Sequence, residues 1–257
     1  MALITLLTDS GDKDFYVAAI KARIMSTNPG IRVEDISHHV GQGNLAHAAF
    51  VLSAVFRDFP VGTVHLVGVD ASGLPGAGHV AIRLEDHFFV ASNSGVLSLI
   101  SDKTPQQVVE IHSFAESPST FPEKDILAPA AARIASGVSL SDMGRPCPDF
   151  RRLTIRQPKA NKRQILGHVI HVDHFGNLVT NIERSVFEQL APGRSFSIRF
   201  GGERITRINT DYNQIDPGEC VALFNSIGLL EIAIFKGHAA QLFGLGLDSP
   251  VNLLFEE

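Results

Sequence analysis

An acidic turn stands between the first strand and the first helix that the chain suggests: LLTDSGDKDFYVAAIKARI (6–24) crowds Asp9, Gly11 and Asp12 into one loop. Such a loop opposes a phosphate, because Asp9 repels a second anion and neither a glycine-rich cradle nor a P-loop lysine follows. It suits a ligand that offers hydroxyls or positive charge. A second carboxylate, Asp70, closes the apolar run TVHLVGVD (63–70), and HVDHFGN (171–177) carries both Asp173 and Asn177. Structural roles compete for each. Asp9 or Asp12 would cap the helix that begins near Asp14, Asp70 would end its strand, and Asn177 would shape a Gly-Asn turn. Eleven histidines are scattered without HxH or HExxH spacing, so no metal site is expected. Cys147 and Cys220 lie far apart and outside any CxxC pair, which reads as two free thiols.

These residues need a scaffold, and the first half of the chain supplies one by alternating strand and helix. ALITLLT (2–8), IRVEDIS (31–37) and TVHLVGVD (63–70) read as strands. DFYVAAIKARIMSTN (14–28), stopped by Asn28-Pro29-Gly30, and NLAHAAFVLSAVFRDF (44–59), stopped by Pro60, read as helices. This βαβαβ order predicts an N-terminal α/β domain, a Rossmann-like sandwich whose mostly parallel sheet has helices on both faces. Ligands of such sheets sit beyond the carboxyl ends of the strands. Asp9 and Asp70 both fall there, so two carboxylates are expected beside one crevice. HVAIRLEDHFFVAS (79–92) reads as a hairpin turning at Glu85-Asp86, and DILAPAAARIASG (125–137) as a helix with glycine just past its end.

The segment 143–163 carries three prolines and seven Lys or Arg residues without periodicity, the pattern of a linker. Short β-rich runs separated by glycine turns follow at 164–182, 194–200, 203–209, 220–226, 229–235 and 249–255, predicting an all-β, barrel-like C-terminal domain. The expected division is an α/β domain over 1–150, a linker over 151–163 and the β domain over 164–257. A net charge of -5 leaves no electrostatic footprint for nucleic acid. No apolar stretch reaches the roughly eighteen residues of a membrane span, and no leader pattern opens the chain. A cytoplasmic location is the expectation.

Six separated blocks carry a resemblance. TDSGDKDFYVAAIKARI, FPVGTVHLVGVD, GVLS (95–98), STFPEKDILAPAAARIASG, HVDHFGNLVTNI (171–182) and FNSIGLLEIAIFKGHAAQLFGL (224–245) follow one another in the order seen in the S-adenosyl-L-methionine hydroxide adenosyltransferases, relatives of the fluorinases and chlorinases. The resemblance covers almost the whole chain. It implies an α/β domain followed by a β-barrel-like domain, and a homotrimer whose ligand site lies between one subunit's N-terminal domain and its neighbour's C-terminal domain. It also implies hydrolysis of S-adenosyl-L-methionine to adenosine and L-methionine, with no metal or tightly held cofactor.

Position by position, the resemblance makes Asp9 the acceptor of the two ribose hydroxyls and Phe121 an aromatic beside the reacting sugar carbon. Asp173 is similar to a carboxylate that holds the methionine ammonium, Phe175 to an apolar wall and Asn177 to an adenine-binding amide. Asn225 and Ser226 match the stretch that receives the amino-acid carboxylate, with Ile227 where the halogenating relatives have arginine. Ala239 matches a position whose backbone meets the adenine.

Asp70 matches the aspartate that the hydrolases use on the attacking water. Their arginine and histidine are missing: the loop SGLPGAGHV (72–80) offers His79 instead of arginine, and Pro122 follows Phe121 where histidine is usual. SNSG (92–95) stands where PDNG is usual. Asp70 with His79 is the expected substitute water-positioning pair. The position of a halide-binding serine is Glu123, a carboxylate that repels halide. Glu123 and Lys124 otherwise read as solvated, and Tyr212 as a possible purine-stacking partner. Hydrolysis is therefore the expected function. The alternative is a protein that binds adenosine or S-adenosyl-L-methionine without turnover, or that acts on another adenosyl compound.

Overall fold

The computed structural model describes residues 2–112 and 119–256. The chain forms two compact units, 1–155 and 156–257. In the first, β1 (Leu3–Thr8), α1 (Tyr16–Thr27), β2 (Arg32–Ser37), α2 (Leu45–Val55) and β3 (Val64–Gly68) alternate, and both β2 and β3 pair with β1 in parallel. A hairpin follows, β4 (His79–Leu84) and β5 (His87–Ser92). Its turn residues Glu85 and Asp86 have φ of 50° and 62°, the left-handed pair that matches strand twist in a two-residue turn.

Strand β5 pairs in parallel with β3, and β6 (Gln107–Ile111) and β7 (Gly144–Pro146) extend the sheet in the order β2-β1-β3-β5-β4-β6-β7. The sheet is mixed rather than mostly parallel, because β4, β6 and β7 all join by antiparallel pairing. A two-residue turn can connect only antiparallel neighbours, so the hairpin ends the parallel block.

Alternation along the strands divides the apolar side chains between two cores. Leu6, Leu66 and Val90 face one; Leu7, Val67 and Phe89 face the other. The first core takes Ile20 and Ile24 from α1 and the alanine face of α3 (Ala128–Ala135), and the second takes Ala48, Ala49 and Leu52 from α2. Helix α3 is entered through a π-helical turn over Glu123–Leu127, and α4 (Leu140–Met143) leads into β7. Wide turns of this kind recur at functional sites.

The expected linker is shorter than 151–163. Asn93 Nδ2 donates to the Asp149 carbonyl, the Arg151 N–H donates to Asn93 Oδ1, and the Leu153 N–H donates to Ser98 Oγ, so the start of that segment is tied to the first unit. Its end is already a strand, β8 (Lys159–Asn161), paired with β9 (Gln164–Val172).

The second unit is an antiparallel sheet around a main core, with Val221, Leu223 and Ala233 forming a smaller cluster. After β9 come β10 (Leu178–Glu183), α5 (Arg184–Leu190), β11 (Phe196–Phe200), β12 (Glu203–Ile205), β13 (Cys220–Phe224), β14 (Leu229–Ile234), α6 (Ala239–Phe243) and β15 (Pro250–Phe255). The strand path is β12-β11-β15-β9-β10-β14-β13, wrapped around Ile165, Leu178, Ile198, Ile232 and Leu253. Asn209, just past β12, bridges to Leu223 in β13, so the two ends of the path nearly close. Among the described residues no helix is long and apolar enough to cross a membrane.

Candidate functional site

In the first unit the two acidic strand ends meet. Asp9 follows β1, and its Oδ2 accepts the Gly43 N–H at 2.8 Å and the Asp70 N–H at 3.4 Å. Helix α1 starts at Tyr16 without a side-chain cap, so neither Asp9 nor Asp12 takes that structural role. Asp12 instead pairs with His39 at 3.4 Å, and the Gly11 N–H donates to the His38 carbonyl at 2.8 Å, fixing the loop from its other side.

Asp70 sits at φ 49°, a left-handed conformation rare outside glycine. Its carbonyl accepts the Gly73 N–H at 2.9 Å and the Ser92 hydroxyl at 2.8 Å, which bends the chain sharply just past β3. His79 joins this turn one residue on: its Nε2 donates to the Ala71 carbonyl at 3.0 Å. Because a carbonyl only accepts, the ring proton is on Nε2 and the lone pair on Nδ1. Burial lowers the His79 pKa, with the Ala71 bond acting against it, so the ring is neutral at neutral pH. The link between Asp70 and His79 thus runs through the backbone of Ala71.

Two features here were not legible in advance. Glu123, expected to be solvated, opens the π-helical turn with its Cγ over Gly68, only 2.8 Å from where a Cβ on that glycine would lie. Burial raises its pKa and the Asp9 charge raises it further, against one backbone hydrogen bond. Phe121 is half-buried and meets Tyr16 edge-on at 5.2 Å and Phe15 at 6.5 Å, while Phe15 and Tyr16 stack at 4.6 Å. Phe15 remains 67% exposed. The Phe-Tyr pair directly after the acidic loop was the available signal.

The second unit gathers the remaining residues around two turns. Asp173 Oδ1 accepts the N–H groups of Phe175 and Asn177 at 2.9 and 2.8 Å, and its Oδ2 accepts Asn177 Nδ2 at 3.0 Å. Carboxylate and amide therefore shape one loop together. That loop is pressed against α6: a Cβ on Gly176 (φ 82°) would fall 2.1 Å from His238 Nδ1, the atom that accepts the Gln241 N–H and caps the helix. Ala239 is fully buried there and Phe175 is 70% exposed.

At the β13–β14 turn, Asn225 Oδ1 accepts the N–H groups of Ile227 and Leu229, and its Nδ2 donates to Glu231 Oε2 at 3.1 Å. Glu231 is 4% exposed and also accepts the Tyr212 hydroxyl on Oε1 at 2.5 Å. Burial, then that bond and the charge of Glu231, push the Tyr212 phenol up, with a further contribution from Asp173. Tyr212 is thus tied through its hydroxyl to the carboxylate that also holds Asn225. Ser226 is exposed at the turn's tip. A cavity of about 510 Å³ in this unit, bordered by Arg184, Phe187, Arg207 and Phe224, holds none of these side chains.

The arrangement is that of a two-domain protein whose α/β unit carries a carboxylate pair at its strand ends and whose β unit carries two polar turns. Residues 4–144 match the N-terminal domain of the SAM hydroxide adenosyltransferases and residues 167–252 their C-terminal domain, and the chain belongs to that family. It is 30% identical over 266 residues to the (R)-S-adenosyl-L-methionine hydrolase of Thermus thermophilus, a match covering 99% of this chain and 100% of the relative. The (R)-S-adenosyl-L-methionine hydrolase of Methanocaldococcus jannaschii is 27% identical over 98% of this chain and 96% of its own, and a fluorinase from Actinoplanes sp. is 24% identical over 98% and 97%. An uncharacterized conserved protein from Thermotoga maritima has a similar structure, with a TM-score of 0.90 at 31% identity, covering 98% of this chain and 99% of that one.

Proposed function

We propose that this chain hydrolyses S-adenosyl-L-methionine to adenosine and L-methionine by attack of water on the 5′ carbon. The observation that carries the reading is the coupling of Asp9 to Asp70 at the carboxyl ends of β1 and β3, in a family whose named relatives include hydrolases. As the water oxygen bonds to the 5′ carbon, the carbon–sulfur bond breaks and its electron pair returns to sulfur. A neutral thioether leaves, so no acid is required. Alignment and desolvation of the water supply much of the acceleration.

In this reading Asp9, held by two backbone N–H groups on Oδ2, accepts the ribose hydroxyls. Phe121 packs beside the sugar. Asp70 and neutral His79 orient the water. The Asp173–Asn177 loop takes the adenine edge and the methionine ammonium: Asp173 accepts three hydrogen bonds, and a carboxylate has room for about four. Ser226 meets the amino-acid carboxylate and the Ala239 backbone meets the adenine, while Asn225 keeps its turn in shape. The site is completed in a homotrimer, with the second unit supplied by a neighbouring subunit; the exposed rings of Phe15 and Phe175 support such an assembly. Neither metal nor cofactor enters the reaction. The Glu123 charge disfavours a halide nucleophile.

Pro122 and the absence of arginine from 72–80 favour a second reading, a binding protein without turnover. A long incubation with S-adenosyl-L-methionine, followed by chromatography of adenosine and methionine, separates the two. Adenosine released by the wild type and lost in Asp70→Ala supports the hydrolase. Binding without release supports the second reading.

A further inference from the structure

We propose that Glu123 is the base that takes the proton of the attacking water, an assignment that rests on the hydrolase reading above. Its position comes first. Glu123 lies over Gly68, the last residue of β3, with its Cγ and Cβ 2.8 and 3.7 Å from where that glycine's Cβ would lie, and Thr8 at the end of β1 closes the same spot at 3.2 Å. The side chain thus stands among the strand ends that carry Asp9 and Asp70. The space it fills exists only because residue 68 has no side chain.

Its electrostatics come second. Lys124, the adjacent cation, pairs with Asp125 at 3.4 Å. Glu123 is left partly desolvated and close enough to Asp9 to be disfavoured as an anion. Two events relieve a carboxylate in that position: arrival of a cation, or gain of a proton. The reaction provides both in order. A bound sulfonium favours the ionised form of Glu123, ready to accept. As the carbon–sulfur bond breaks, the sulfonium charge disappears, and the carboxylate becomes more basic just as the water becomes acidic. The water oxygen bonds to the 5′ carbon, the carbon–sulfur pair returns to sulfur, and one water proton passes to Glu123. The products are adenosine, methionine and a neutral Glu123 that later returns its proton to solvent.

The neighbouring side chains leave this role open. Pro122 has no group that accepts a proton, and His79, anchored at Ala71 through its Nε2–H, keeps one lone pair on Nδ1, which orients the water.

The test is Glu123→Gln, which keeps shape and removes basicity, with kcat and KM measured by adenosine release and S-adenosyl-L-methionine binding measured by calorimetry. The expected result is a kcat lower by about 10²–10⁴-fold, the usual contribution of a positioned base, with KM and binding within a few-fold. A kcat within about threefold of wild type overturns the assignment, as does a loss confined to KM, which would make Glu123 a contact to the sulfonium. A wild type that binds but releases no adenosine overturns the hydrolase reading and the base with it, and is recognised because the wild type itself is silent. Should the glutamine variant not fold, Glu123→Ala with added formate decides: turnover restored by that small carboxylate supports a base, and no restoration overturns it.

Discussion

The Asp70 N–H and the Asp9 carboxylate are joined at 3.4 Å, so the residue that is to orient water is held by the residue that is to hold the ribose. Asp70 needs that support because its left-handed backbone, φ 49°, is a conformation that costs of order 1–3 kcal/mol outside glycine. In Asp9→Asn one acceptor oxygen must serve Gly43, Asp70 and the ribose, and the charge is gone. The expected outcome is affinity for S-adenosyl-L-methionine lower by about 10- to 100-fold, the worth of a charge-assisted hydrogen bond, in a protein that still melts cooperatively. Calorimetric titration checks it, and unchanged affinity would remove Asp9 from the ribose.

The Asp173–Asn177 loop allows a separate prediction. Gly176 combines a positive φ of 82° with a ring 2.1 Å from its absent Cβ, and the atom that would be struck is the His238 Nδ1 that caps α6. Gly176→Ala must therefore strain the backbone and displace the cap together. Unfolding in urea should show a loss of about 2–3 kcal/mol, within the range for overpacking a tight site. Asp173→Asn, which keeps the oxygen that accepts two of the three hydrogen bonds, should lose less. Equal losses would mean that the loop is held by something other than this contact.

How far the chain could be read in advance depended on how local the cause was. The βαβαβ start was visible because strand period, helix period and the stops at Pro29 and Pro60 agree. The Glu85-Asp86 hairpin was visible too, but not its consequence for the sheet, since which neighbour a hairpin joins is settled by pairing with β3 far away in sequence. Asp9 and Asp70 were legible as strand ends. Glu123 was not: its burial follows from Gly68, more than fifty residues earlier, and a charged residue between Pro122 and Lys124 looks solvated when only its neighbours are considered. Asn225 and Asn177 were singled out by resemblance alone, and their bonds to Glu231 and Asp173 belong to three-dimensional turns.

Acid stability tests a histidine pair that the chemistry does not use. His65 is fully buried, bonded to Thr5 Oγ1 through Nδ1 at 2.7 Å and to His87 through Nε2 at 3.1 Å, and stacked on Phe89 at 4.8 Å. Burial first, and the His87 charge second, lower its pKa from 6.5 to about 3. Between those values the unfolded chain binds a proton that the folded chain refuses, so stability is fully present above the unfolded pKa and falls as pH drops through that window. The slope contributed by one such group is at most about 1.4 kcal/mol per pH unit. In His65→Gln the amide stands near the place of Nε2, toward His87, so the titration is removed and the Thr5 bond at Nδ1 is given up. Urea midpoints measured from pH 7 to pH 4 should fall less steeply for the variant than for the wild type, even though the variant starts lower at pH 7. Parallel curves would assign the acid sensitivity to other groups, His87 among them, whose pKa burial also lowers.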